Sequence, residues 1–269
     1  MRADLVPDDL WERVAPLLPP APERRRRYPG RLRVPDRAAL AGVMYVLRTG
    51  VAWRDVPTET VGCSGVTAWR RLRDWTEAGV WQRLHTALLA ELRRADLLDL
   101  DDCSVDGSHV RALKRGDRFG PSPVDRARPG SKHHLIVDRH GTPLAVTLTG
   151  GNRHDVTQLL PLLEAVPPIR GRRGRPRRKP RRLYADRGYD FDKYRRLLWK
   201  RGIKPLIARR GVAHGSGLGK VRWVVERAFA WLHGFRRLRT RYERRADLHQ
   251  GLLELACSLI CLRRLRTSF

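Results

Sequence analysis

Residues 103–110, CSVDGSHV, mark the change from helical to strand periodicity on which the fold depends. Cys103 and Val105 alternate here with Ser104 and Asp106, and a period of two places alternate side chains on opposite faces of a strand. We therefore predict a half-buried strand with Asp106 on its polar face. Before this stretch, apolar residues recur at the spacing of amphipathic helices. The predicted helices cover 8–18, 36–49, 66–78 and 80–95.

After this strand the pattern alternates between strands and helices. The predicted strands cover 133–138, 144–149, 182–185 and 203–208. The predicted helices cover 155–166, 191–200, 221–235 and 248–265. Three strands in a row followed by alternating helix and strand are typical of a mixed α/β sheet with helices on both faces. We therefore predict a helical domain over 1–98 and a mixed α/β domain over 99–269.

The charge balance points to a polyanionic partner. Lys and Arg number 56 against 28 Asp and Glu, which gives a formal net charge of +28; 7 of the basic residues are Lys and 49 are Arg. A GC-rich genome explains part of the Arg excess, but not the surplus of basic over acidic residues. Lys and Arg displace counterions from phosphates, and the planar Arg fork also matches guanine edges. We predict double-stranded DNA, rather than a membrane surface, as the partner.

The rest of the composition excludes several classes of protein. A hydrophobic share of 41% argues against a wholly disordered polycation. No apolar run reaches the roughly 18 residues of a membrane span, and the acidic N-terminal stretch is unlike a signal peptide. Four cysteines in 269 residues do not make a disulfide scaffold. We expect a cytoplasmic, nucleoid-associated protein.

A strongly basic segment, PPIRGRRGRPRRKPRR, covers 167–182. Nine of its sixteen residues are basic and most of the others are Pro or Gly, so it is predicted to be a surface loop. At its centre, Arg173 and Arg175 belong to an RGRP sequence similar to an AT-hook, which inserts Arg into a narrow minor groove. Plain phosphate contact is the favoured role for both residues.

Three acidic residues occupy positions suited to metal chemistry. Asp106 lies on the polar face of the first strand, and Asp186 directly follows the short strand in LYADRGYD, where open α/β sheets place ligands. Glu226, in VRWVVERAFAWLHGF, lies beside the buried stripe of a helix, on a strip that also carries Arg222. Each also has a structural interpretation: a turn acceptor, a helix cap, or half of an exposed i,i+4 pair with Arg222.

The motifs that contain these residues resemble those of bacterial insertion-sequence transposases of the DDE type, in the IS-five group. The resemblance covers nearly the whole chain, including LAGVMYVLRTGVAWRDVP, VDGSHVRA, SKHHLIVDRHGTPLAVTLTGGNRHD, LYADRGYD and VRWVVERAFAWLHGFRRLRTRYER. It implies an RNase H-like fold in which two Asp and one Glu bind divalent metal, here Asp106, Asp186 and Glu226. Such carboxylates suit Mg²⁺ or Mn²⁺, with two ions about 3.5–4 Å apart supporting in-line displacement.

The stretch around Glu226 departs from the pattern of some relatives at two positions. Arg222 is in place, but Gly219 and His233 stand where those relatives carry Tyr and Lys. Neither position is a metal ligand, so the expected effect is on DNA positioning. Arg222, His233 and Lys132, the last from the SKHHLIVDRH stretch, are predicted DNA contacts.

The N-terminal region contains a segment, 53–75, that resembles a helix-turn-helix. In this interpretation Arg70, Arg71 and Arg73 face DNA while the apolar residues between them pack inward. The alternative is a helical bundle with a basic exterior. Cys257 and Cys261, four residues apart on an apolar helix, are predicted to be core residues rather than zinc ligands.

Together these features predict a DNA transposase that recognises element ends through 1–98 and cleaves and joins DNA through 99–269. Because two DNA ends must be paired, we expect a homodimer on DNA. Two alternatives remain open. One is an RNase H-like nuclease or resolvase that never joins strands, and the other is a catalytically inactive DNA-binding relic.

Overall fold

The computed structural model describes residues 4–23, 27, 31–212, 217 and 219–267. The first part is helical, as predicted, and two of its boundaries follow from local chemistry. The second helix ends at Gly50, whose φ of 76° suits a residue without a Cβ. The fourth helix is capped by Ser64, whose Oγ accepts from the backbone N of Thr67 over 3.3 Å. The helices are α1 (Asp8–Val14), α2 (Asp36–Thr49), α3 (Thr58–Val61), α4 (Gly65–Glu77) and α5 (Val80–Arg94).

The second part contains the sheet and its flanking helices. Its strands are β1 (Asp102–Ala112), β2 (Gly120–Pro121), β3 (Pro129–Val137), β4 (Pro143–Gly150), β5 (Arg182–Ala185), β6 (Lys204–Ile207) and β7 (Thr240–Arg241). Its helices are α6 (Leu159–Ala165), α7 (Asp192–Lys200), α8 (Gly219–Gly234) and α9 (Ala246–Arg266).

The sheet topology confirms the predicted RNase H-like fold. β1, β3 and β4 form an antiparallel meander, in which β3 pairs with both β1 and β4. β5 then pairs parallel to β1 on the side away from β3, and β6 pairs parallel to β5. β1 is therefore the central strand, so the side chains at its polar positions lie in the middle of the sheet.

The core is continuous from the helical part to the sheet. α9 packs against α5 on one side and β4 on the other, and α8 packs against β1 and β3. Buried apolar residues from Val6 to Leu265 form one cluster. The division at residue 98 therefore lies within a shared core, and it stays a prediction.

Short elements account for most differences from the predicted secondary structure. α3, β2 and β7 have four residues or fewer, too few to produce a periodic pattern. The helix predicted over 155–166 begins with a 3₁₀ turn, Asp155–Gln158. Reciprocal backbone hydrogen bonds of 2.9 Å join Ile169 and Arg177 at the base of the basic loop. The loop therefore has the form of a hairpin.

Cys257 and Cys261 are buried on α9, as predicted. Within the described ranges all four thiols are free and buried. Burial raises the pKa of both α9 thiols, which keeps them protonated. None of the helices that the structure describes is long and apolar enough to cross a membrane.

Candidate active site and DNA-contacting surfaces

Asp106 and Asp186 lie on neighbouring parallel strands. Ser104 of β1 is in register with Tyr184 of β5, and two further residues along each chain lead to the two aspartates. Each carboxylate is held by a nearby backbone amide. Gly107 N donates to Asp106 Oδ1 and Gly188 N donates to Asp186 Oδ1, both over 2.8 Å. The sheet therefore presents two oriented carboxylates side by side.

Asp106 carries an unusual charge environment. Burial raises its pKa from 3.8 to about 6, and the negative charges of Asp186 and Asp155 act in the same direction. The Gly107 amide and Arg222 oppose this rise. Arg222 Nη2 lies 3.2 Å from Asp106 Oδ2, and both side chains are largely buried. Burial is therefore the main reason that the pKa of Asp106 is raised.

Helix α8 packs against β1 and β3 and carries both Arg222 and Glu226. Its buried face includes Val225, Ala228 and Leu232, which form part of the stripe predicted from the sequence. Arg222 and Glu226 are one turn apart, so they share a face of the helix. Glu226 is exposed. Among the described residues no three His, Cys, Asp or Glu side chains converge closely enough to hold a metal ion. The two aspartates are therefore adjacent, whereas the glutamate stands apart on the helix.

A fourth carboxylate, Asp155, adjoins the same strand. Lys132 Nζ contacts Asp155 Oδ1 over 3.0 Å and donates to the carbonyl of Arg153 over 2.8 Å. Gly107 leaves room for this carboxylate, because a Cβ there would lie 2.8 Å from Asp155 Oδ1. The prediction that Lys132 contacts DNA is not supported by its position: it is 5% exposed and its ammonium group is used inside the protein.

Tyr189 is a polar residue of the site that the sequence did not single out. It is 1% exposed, and its hydroxyl has no hydrogen-bond partner within the part of the chain that the structure describes. Burial and the charges of Asp155, Asp106 and Asp186 raise its pKa. The neutral phenol therefore lies near the carboxylates as an unused donor. Its place in LYADRGYD, three residues after Asp186, is the signal that could have identified it.

Three predicted DNA contacts have accessible side chains. Arg173 and Arg175 are exposed near the tip of the basic loop, beside Gly174, whose φ is 81°. Arg70 is exposed on α4, the second helix of the segment that resembles a helix-turn-helix.

Two other predicted contacts on α4 already pair with carboxylates of the protein. Arg73 pairs with Asp74 over 2.7 Å and lies over the ring of Trp69, 5.8 Å from its centroid. Arg71 does not face outward as expected. Its Nε contacts Asp36 Oδ1 over 3.0 Å, and the side chain is 14% exposed, so it ties α4 to the start of α2.

His233 also differs from its expected role. Its ring lies 6.1 Å from that of Phe229, and its Nε2 is buried without a partner in the described structure. Burial, with help from the positive charge of Arg239, lowers its pKa, so the ring is neutral at pH 7. It therefore offers no positive charge to a phosphate.

A buried polar network links β3 to the segment between α8 and α9. His133 Nε2 and His249 Nε2 are 2.9 Å apart, and His249 Nδ1 lies 3.1 Å from Glu243 Oε2. Arg237 Nη2 lies 2.7 Å from Glu243 Oε1. All four side chains are buried. His133 is therefore part of a buried polar network.

Two family profiles match the chain. Residues 99–261 match the family described as “Transposase DDE domain”. Residues 6–85 match that of “Putative transposase of IS4/5 family”. The chain belongs to the DDE transposase family. It is a DNA transposase, and membership of this family implies the use of a divalent metal ion.

Two individual proteins and one solved structure are similar to this chain. “Putative transposase for insertion sequence element IS402” from Burkholderia cepacia is 65% identical over 149 residues, which are 55% of this transposase and 71% of the relative. “Insertion element IS402 uncharacterized 16.2 kDa protein” from the same organism is 53% identical over 124 residues, 46% of this chain and 84% of that one. The crystal structure of the Mos1 mariner paired end complex with Mn aligns with 92% of this chain and 82% of its own, at 10% identity and a TM-score of 0.33.

Proposed function

We propose that this transposase cleaves DNA at the ends of its insertion sequence and joins the freed ends to target DNA at Asp106, Asp186 and Glu226. The observation that carries this proposal is the register that sets Asp106 beside Asp186 on parallel strands. Helix α8 packs on the same strands and supplies Glu226 one turn from the arginine that contacts Asp106. Water is the nucleophile of the cleavage step and the freed 3′-OH that of the joining step.

We propose that these carboxylates hold Mg²⁺ or Mn²⁺, and that two ions are bound. Carboxylate oxygens are the hard ligands that these ions prefer, and Asp106 lies within electrostatic reach of Asp186. Two such ions would activate the attacking oxygen and stabilise the leaving oxygen. Because Glu226 is exposed, its side chain is free to turn toward the aspartates.

The chain's own residues prepare this site. The amides of Gly107 and Gly188 fix the two aspartates, so the carboxylates are oriented before DNA arrives. Arg222 neutralises part of the charge of Asp106, and its Nε, buried without a partner among the described residues, is an available donor for a phosphate oxygen. Lys132 positions Asp155 behind the strand rather than contacting DNA.

We further propose a division of labour along the chain. Residues 1–98, through the helix-turn-helix-like segment and Arg70, recognise the element ends, and 99–269 carry out catalysis. Arg173 and Arg175 contact DNA from the basic loop, supported by their exposure. The transposase acts as a homodimer on paired ends, in the cytoplasm at the nucleoid.

The test is Mg²⁺-dependent cleavage of linear DNA that carries the flanks of the gene, by wild type and by Asp186→Asn. Asn keeps the oxygen that accepts from Gly188 N, so the strand end should keep its conformation. Asp192→Asn, at the exposed start of α7, removes the same charge and serves as the matched control. We expect cuts at the flank ends by wild type and the control, and none by Asp186→Asn, with DNA binding kept by all three.

Other outcomes would contradict parts of the proposal. Random nicking that requires Asp186 would indicate a nuclease without end recognition. Tight binding with no cleavage by wild type, in Mn²⁺ as well as Mg²⁺, would indicate an inactive DNA-binding relic.

A further inference from the structure

A groove of about 320 Å³ lies between the N-terminal helices and the C-terminal pair, α8 and α9. Its apolar lining includes Leu10 of α1 and Leu259 of α9. Three arginines also line it: Arg48 near the end of α2, and Arg263 and Arg266 near the end of α9. Cations from two distant parts of the chain thus converge on one opening.

The positive charge of the groove is only partly compensated. Arg266 is paired, since its Nε donates to Asp9 Oδ2 over 2.7 Å. Neither Arg48 nor Arg263 has a salt-bridge partner within the ranges that the structure describes. Burial and the positive charges of Arg263 and Arg266 lower the pKa of Arg48, so the cations repel one another. An anion in the groove would relieve this repulsion.

The groove lies farther along the helix that carries Glu226. Ala230 and Gly234 line it, and they lie four and eight residues after Glu226 on α8. At about 1.5 Å per residue they are about 6 and 12 Å farther along the helix. One DNA strand advances about 3.4 Å per nucleotide. Along a DNA strand, Ala230 and Gly234 are therefore about two and about four nucleotides from the catalytic glutamate.

We propose that this groove binds the phosphodiester backbone of DNA beside the bond that is cleaved. Arg48 and Arg263 supply the guanidinium groups, which donate two hydrogen bonds at once to phosphate oxygens. The small residues Ala230 and Gly234 keep the helix face open, and a Cβ at Gly234 would meet nothing within 4 Å. The inference rests on the proposed function, because it takes DNA engaged at Glu226 as the ligand.

The test measures binding of linear DNA with the element flanks by the full chain at several KCl concentrations. Arg263→Gln removes one exposed cation from the groove. It should reduce the slope of log K against log [KCl] by about 1 and weaken binding at 0.1 M KCl about eightfold. Lys200→Gln, an exposed cation at the end of α7 outside the groove, is the control and should leave both quantities near wild type.

A second pair of variants separates charge from bulk. Gly234→Glu places a carboxylate in the open groove, and Gly234→Gln places an uncharged group of the same size there. Because no atom lies near the added Cβ, both variants should fold. We expect Gly234→Glu to weaken binding at least as much as Arg263→Gln does, and more than Gly234→Gln, which adds the same bulk without a charge, at the same salt concentration.

The outcomes distinguish this proposal from the proposed function. Unchanged affinity and salt slope in both Arg263→Gln and Gly234→Glu, with wild type still cutting the flank ends, would overturn the groove alone. Wild type that neither binds nor cuts the flanks would overturn the proposed function. If 10 mM inorganic phosphate, at constant ionic strength and without DNA, raises the thermal midpoint of wild type but not of Arg263→Gln, while both bind DNA equally well, the groove is a free-phosphate site and the proposal is wrong.

Discussion

His85 joins the helical part of the protein to the sheet. Its side chain is buried on α5, and its Nε2 lies 2.9 Å from the carbonyl oxygen of Pro143, the first residue of β4. A carbonyl only accepts, so Nε2 carries the proton and donates. Burial lowers the pKa of His85 from 6.5 to about 4, and the hydrogen bond to Pro143 offsets only part of this effect. The folded protein therefore keeps this imidazole neutral.

The pH dependence follows from proton binding. Between pH 6.5 and pH 4 the unfolded chain binds a proton at His85 that the folded chain does not, so the free energy of unfolding falls as the pH falls through this range. At 1.36 kcal/mol per pKa unit the whole difference corresponds to about 3 kcal/mol, of which about 2 kcal/mol is lost between pH 7 and pH 5. Below pH 4 both states are protonated, and the loss attributable to His85 is complete.

The perturbation is His85→Gln, which places an amide donor near the position of Nε2 but does not titrate. Urea unfolding followed by tryptophan fluorescence gives the free energy of unfolding at pH 7 and pH 5. We expect the variant to lose about 2 kcal/mol less than wild type over this interval. His134, whose pKa is also lowered to about 4 by burial, contributes equally to both proteins and cancels in the comparison. His140→Gln removes an exposed imidazole as the control and should lose as much as wild type. Equal losses in wild type and His85→Gln would refute the reasoning.

Three further predictions concern charge and packing. Glu243→Gln should cost about 3–5 kcal/mol in urea unfolding, because it leaves Arg237 charged and buried without its carboxylate; a loss below 1 kcal/mol would contradict this. Gly65→Ala should lower the thermal midpoint, with a cost of about 1–3 kcal/mol in the free energy of unfolding, because the added Cβ would collide with the backbone carbonyl of Trp53. Arg222→Gln should move the acid limb of metal-dependent cleavage to higher pH, because it removes a positive charge that lowers the pKa of Asp106 from a value already raised to about 6. An unmoved limb would show that Arg222 does not influence this carboxylate.

The long elements were predictable because each has a periodic apolar face and clear boundaries. The helix predicted over 36–49 has the observed bounds, since Gly50 adopts a left-handed conformation that ends it. The strand predicted over 182–185 is also as observed. β2 and β7 were not predictable, because two-residue strands are defined by their partners, β3 and β1, rather than by a pattern of their own.

Side-chain partners were the least predictable part of the site. The position of Asp186 at the end of a strand indicates a ligand site from the sequence alone, without knowledge of its neighbour Asp106. Nothing local indicates that Arg71 pairs with Asp36, 35 residues earlier, or that Lys132 pairs with Asp155. The chain has twice as many basic as acidic residues, so each carboxylate has several possible cationic partners. The tertiary fold selects which of them it contacts, and the sequence does not show this selection.

This selection changes what the net charge means for DNA binding. Arg241 is fully buried and donates to the backbone carbonyls of Arg118, Glu243 and Arg244, so it cross-links the chain instead of meeting solvent. Its positive charge is counted in the formal +28 but cannot release a counterion from a phosphate. Under the proposed function, the cations available to DNA are those that are exposed and have no carboxylate partner among the described residues, such as Arg70 and Arg263. Because these lie on separate elements, the basic composition divides into an internal set of arginines that supports the fold and an external set that is available to DNA.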